Sequence, residues 1–142
     1  MRRTLLRRAI CFAALLVLAL PASAQPGDIC PPPGEGFQQL AGGDIDVAYR
    51  WEPRDLKVGQ FFSAEVIACR PRASVTRIAL EATMPAHGHG MNYLPKATEI
   101  APGRYRFTGL MLHMPGRWQL TIDLYDGNKL VRRLTRDLDL KP

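Results

Sequence analysis

This chain is poor in the residues on which enzymes and metal sites most often draw. Among its 142 residues there are three histidines, three cysteines, five methionines and two tryptophans. Three histidines are too few for the copper–zinc superoxide dismutase pattern, although that pattern also uses His-x-His on a β-sandwich. No His-Glu-x-x-His step is present, so a zinc hydrolase lacks both its ligands and its base. Ser63 and Ser74 stand without the glycines of a nucleophile elbow. Basic residues form no stripe interleaved with aromatics. The arginines mix with carboxylates, as in Arg132-Arg133-Leu-Thr-Arg136-Asp137, and nucleic acid is not an expected partner. The chain reads as a non-enzyme.

Long apolar runs are also missing, except at the N-terminus. There Arg2, Arg3, Arg7 and Arg8 precede an apolar stretch from Ala9 to Leu20, followed by Pro21-Ala22-Ser23-Ala24. A basic start, a short apolar run and an Ala-x-Ala step form a secretory signal, with cleavage expected after Ala24. The run falls short of the roughly 20 apolar residues that a spanning helix needs, so no retained membrane span is expected. The expected location is periplasmic or secreted. Removal of residues 1–24 takes four arginines with it. The formal charge of +6 then falls to about +2, and the basic pI stops arguing for an acidic partner.

Two cysteines remain after that cut, Cys30 and Cys69. An even count in an exported chain favours a disulfide between them. Closing a loop of about 40 residues stabilises by ~4 kcal/mol in the chain-entropy model. Residues 25–43 hold Pro26, Pro31, Pro32, Pro33 and several glycines, which predicts an extended lead-in without a regular element. The disulfide would pin that lead-in to the body, residues 44–142.

No sustained 3.6-residue apolar period occurs in the body. Short alternating segments take its place: 45–51, 61–70, 75–83, 103–109, 117–125 and 130–138. Trp118, Leu120, Ile122 and Leu124 share one face of the fifth, and Asp126-Gly127 marks a hairpin turn into the sixth. Strands at about ten-residue spacing, each half apolar, predict an all-β fold, a single antiparallel immunoglobulin-like β-sandwich of about seven strands. The Gly103-Arg104-Tyr105 step predicts a corner whose tyrosine hydroxyl bonds back to the chain.

The scarce residues are not scattered. Every histidine, and every methionine apart from the initiator, lies between Met84 and Met114, in Met84-Pro-Ala-His87-Gly-His89-Gly-Met91 and Met111-Leu-His113-Met114-Pro-Gly. Met84 continues the parity of Ile78, Leu80 and Ala82. Met111 continues that of Tyr105, Phe107 and Gly109. Both are expected in the core, unless a bulge flips Met111. His87, His89 and Met91 fall in a Gly/Pro-rich loop, and His113 and Met114 at another strand end. If the two strand ends meet, His87, His89, Met91, His113 and Met114 make a site of imidazoles and thioethers suited to copper, above all Cu(I). The competing expectation is that glycine-flanked histidines serve only turns and packing.

The stretch from Met84 to Met91, then Gly103-Arg-Tyr-Arg-Phe107 and Met114-Pro-Gly-Arg-Trp118, resembles the YtkA-like/FixH-like group of exported bacterial domains. The likeness runs from about Asp44 to Leu140. It implies an immunoglobulin-like fold and a small periplasmic accessory protein, in a group associated with copper handling and terminal-oxidase assembly. The same five residues carry over as its ligands. An envelope or membrane protein, such as a copper-dependent oxidase or transporter, is the implied partner. Unlike the oxidase-linked members, which keep a membrane helix, this chain reads as a free secreted domain. The alternative function is a metal-free interaction module for such a partner.

Overall fold

The computed structural model describes residues 36–69 and 75–142. The expected signal segment, Cys30 and most of the lead-in therefore lie outside the described residues. Within them are nine strands and no helix. They form two antiparallel sheets. One holds β1 (Gln38–Leu40), β2 (Asp46–Glu52), β3 (Phe61–Cys69), β7 (Arg104–Met111) and β6 (Lys96–Ala101), in the order β1-β2-β3-β7-β6. The other holds β5 (His89–Gly90), β4 (Arg77–Met84), β8 (Gly116–Asp126) and β9 (Lys129–Leu140), in the order β5-β4-β8-β9. Taken in chain order, the β2-β3-β7-β6 and β5-β4-β8-β9 arrangement is the immunoglobulin ABED and C′CFG pairing. The all-β sandwich expected from strand spacing is the observed fold.

Alternation builds the core. Val66 and Ala68 on β3, Ile78 and Leu80 on β4, Tyr105 and Phe107 on β7, and Ile122 and Leu124 on β8 all face the space between the sheets. Toward one end the core continues into a smaller cluster of Ala82, Met84, Leu112, Trp118 and Leu140. Trp118 has no exposed surface.

The strand count exceeds the expected seven for identifiable reasons. β6 has all six residues exposed, so it shows no alternation to read. β5 is two residues long. β1 sits inside the Gly/Pro-rich lead-in and pairs with β2 through Gln38–Tyr49 and Leu40–Val47, so that segment is not free of regular structure.

Met84 is buried, as its parity predicts. Met111 departs from its parity: it is only half-buried, while Leu110 and Leu112 take the core positions. Between the pairs Ala64–Phe107 and Phe62–Leu110, Thr108 and Gly109 oppose Ser63 alone. Gly109 has a φ of +79°. One extra residue with glycine in the left-handed region is a β-bulge, and it reverses the facing of everything after it.

At the end where β4, β7 and β9 begin or turn, polar groups close on one another. The Tyr105 hydroxyl donates to the Thr76 carbonyl at 3.0 Å. The Thr76 hydroxyl accepts from the Gly127 amide at 2.7 Å and donates to the Tyr125 carbonyl at 3.3 Å. The tyrosine does bond back to the chain, but it reaches across to the segment entering the other sheet. Burial, with Glu99 adding to it, holds the Tyr105 phenol above its ordinary pKa, so it stays a donor.

Candidate functional site

The His/Met segments lie at the opposite end. β4 runs out at Met84, β7 at Met111, and β8 begins at Gly116, antiparallel to β4. The loops after β4 and after β7 therefore meet there, although their parent strands belong to different sheets.

The first loop is a tight hairpin. Met84 pairs with His89, and the Met84 carbonyl accepts from the amides of His87 and Gly88, both at 3.0 Å. Gly88 turns the chain with a φ of +66°, a conformation that a side chain would strain. His89 thus begins β5 instead of lying in an open loop, and the Met91 amide reaches the Ala82 carbonyl at 3.1 Å. The second loop is held by Trp118, whose indole N–H donates to the Met114 carbonyl at 3.0 Å.

These anchors bring all three imidazoles into a row. The ring centres of His87 and His89 are 5.8 Å apart, and those of His89 and His113 are 5.2 Å apart. Trp118 forms the floor: it meets His113 edge-on at 5.4 Å and His89 at 6.2 Å. With metal–nitrogen bonds of roughly 2.0–2.1 Å, two imidazoles on one ion place their ring centres about 5–6.5 Å apart. Both neighbouring spacings lie in that range.

Hydrogen bonding distinguishes the three rings. His89 Nδ1 lies 3.3 Å from the Gly90 carbonyl. A carbonyl only accepts, so Nδ1 is the donor in this contact, and in a neutral ring Nε2 is then the nitrogen left to bind an ion. His113 Nδ1 is buried and has no hydrogen-bond partner among the described residues. Burying an imidazole nitrogen unpaired is costly, and an ion or water would remove that cost. His87 is exposed at the turn, and His89 and His113 are half-buried.

The thioethers are placed differently. Met91 packs against both apolar clusters and Met114 against the smaller one, each half-buried. They border the same apolar floor as Trp118. Among the described residues no group of three or more His, Cys, Asp or Glu is arranged to hold a metal ion. A row is not a closed cage; a third donor to His89 and one neighbour has to be thioether, or a ring has to turn.

Sequence reasoning missed Trp118 as part of this site, reading it only as core. The signal was its position four residues after Met114. A groove of about 770 Å³, lined by Trp51, Leu56, Val58, Leu138 and Leu140 among others, contains neither histidine nor methionine. Cys69 is buried, and Cys30, its expected partner, lies outside the described residues. Among the described residues no helix is long and apolar enough to cross a membrane.

Residues 72–123 match the model of the family described as YtkA-like. That stretch contains every candidate ligand and Trp118, and it bears out the resemblance carried by the motifs. No curated protein matches the chain. A crystal structure of a DUF4426 family protein from Pseudomonas aeruginosa PAO1 is similar at a TM-score of 0.49 and 14% identity, covering 76% of this chain and 97% of that one. A likeness at that level carries no argument about the site.

Proposed function

Taking the YtkA-like pattern of residues 72–123 as the premise, we propose that this chain is an exported accessory protein that binds copper, as Cu(I), and buffers it or passes it to an envelope or membrane acceptor. The observation that supports this most is the gathering of three scarce histidines from two loops of different sheets, with neighbouring ring centres 5.8 and 5.2 Å apart. The unpartnered nitrogen of His113 adds to it.

In this reading His89 offers Nε2 and His113 offers its buried Nδ1. His87 is the exposed member that meets an incoming or departing ion first. Met91 and Met114 supply soft thioether donors that favour Cu(I) over Cu(II). Trp118 keeps water from the floor of the site. Transfer proceeds by ligand exchange, which an exposed first ligand permits. A Cys30–Cys69 disulfide would fasten the N-terminal segment to β3; two free thiols by non-reducing mass spectrometry of exported protein would remove it.

The competing function is a metal-free interaction module. It is favoured by the absence, among the described residues, of a three-donor His/Cys/Asp/Glu group. It treats the row of rings as aromatic packing on Trp118. Anaerobic Cu(I) competition against a chromophoric chelator separates the two. Stoichiometric binding that His87→Ala/His89→Ala abolishes is the expected result; binding unchanged in that variant refutes the copper reading.

A further inference from the structure

The same end of the molecule exposes apolar side chains that the site does not use. Phe61, at the start of β3, is 58% exposed; Tyr93 is 48% exposed and Leu94 is 96% exposed. Phe61 and Tyr93 stack edge-on with ring centres 5.3 Å apart, although they come from distant parts of the chain. Met111, paired with Phe61 across the ladder, extends the patch where the β7 bulge turned it outward. Cations flank it. Lys57 lies four residues before Phe61, where it lines the groove that also holds Asp55 and Asp139, and Lys96 lies two residues after Leu94. Both are exposed and, among the described residues, neither forms an ion pair. Asp55 is the carboxylate nearest to Lys57 in sequence.

We infer that this end docks reversibly on an anionic lipid surface, with Leu94, Tyr93 and Phe61 entering the headgroup boundary and Lys57 and Lys96 reaching lipid phosphates. Three side chains expose about half of the roughly 800 Å² per partner that a stable protein interface buries. A bilayer asks for no complementary shape. It accepts a fully exposed leucine, an amphipathic tyrosine and flanking lysines whose stems lie along apolar surface. Charge complementarity selects the anionic surface over a neutral one. The inference does not rest on copper binding, since none of these residues is a proposed ligand.

The full chain is tested metal-free at low salt, with vesicles rich in phosphatidylglycerol or made of phosphatidylcholine alone. Hydrogen exchange of peptides covering residues 91–97 gives a local readout, independent of any binding by the apolar N-terminal run. Slowed exchange there with phosphatidylglycerol vesicles, weakened by salt, is expected. Leu94→Asp combined with Phe61→Ser removes this protection. Lys57→Glu with Lys96→Glu raises the vesicle concentration needed for protection of 91–97 about tenfold. His87→Ala/His89→Ala retains both. Unchanged exchange at 91–97, or protection indifferent to the Leu94 and Phe61 substitutions, overturns the inference. So does Leu94-dependent self-association in sedimentation velocity, which would assign the patch to a second copy.

Discussion

The two ends of this sandwich are built from similar strand geometry and differ in how they treat their polar groups. At one end Thr76, Tyr105, Tyr125 and Gly127 satisfy one another within 2.7–3.3 Å. At the other a buried imidazole nitrogen has no partner among the described residues, and Leu94 stands 96% exposed. The first end also holds a buried nitrogen without a partner among the described residues, Arg132 Nε, but that guanidinium is anchored through Nη2 to Asp44. One end closes the molecule, and the other gives up closure where it gathers its scarce histidines.

Substitutions sharpen that contrast. The largest effect belongs to Trp118→Ala, which empties the floor beneath the histidines. Loss of a fully buried tryptophan is expected to cost about 3–5 kcal/mol, read as a shift of the denaturant midpoint. A cost near zero would mean that the rings do not depend on it.

Next comes Glu65, on the outer face of the β1-containing sheet and itself buried. Its carboxylate accepts from Arg50 and from Arg104, which enters β7 at the closed end. Burial alone would raise its pKa, but the hydrogen bonds and charges of Arg104 and Arg50 together hold it below the ordinary glutamate value. A depressed folded pKa adds stability that is complete above the unfolded value, roughly 4.3, and is lost as pH falls through the folded one. Glu65→Gln should therefore flatten the acid limb of the stability profile below about pH 4. Arg104→Met should cost about 1–2 kcal/mol, discounted because the arginine is partly solvated.

The smallest effects test the comparison most finely. Tyr105→Phe removes a satisfied bond at the closed end and should cost about 1 kcal/mol. His113→Leu removes an unsatisfied nitrogen at the open end and should be neutral or stabilising by up to about 1 kcal/mol in metal-free protein. Opposite signs support the contrast in denaturation experiments. A destabilising His113→Leu would mean that the nitrogen is satisfied after all.

Among the nine described strands, β2, β3, β4, β7 and β8 were legible because each presents an apolar face to the core, and β9 because Asp126-Gly127 marks the turn into it. β6 was not, since a fully exposed edge strand has no period to detect. The facing of Met111 was lost at Gly109, where one inserted residue resets the alternation. Within the site, sequence named His87, His89 and His113 and the condition for their meeting. Whether β4 and β7 end at the same pole depends on sheet topology, which no local pattern encodes. The unpartnered His113 nitrogen is a property of packing alone.

X-ray absorption of the anaerobic Cu(I)-loaded chain bears most directly on the claim that the open end is a copper site. Imidazole nitrogen at about 2.0 Å together with thioether sulfur at about 2.3 Å is predicted, with the nitrogen shell lost in His89→Ala/His113→Ala. A shell without imidazole, or one unaltered by that double substitution, would contradict the account.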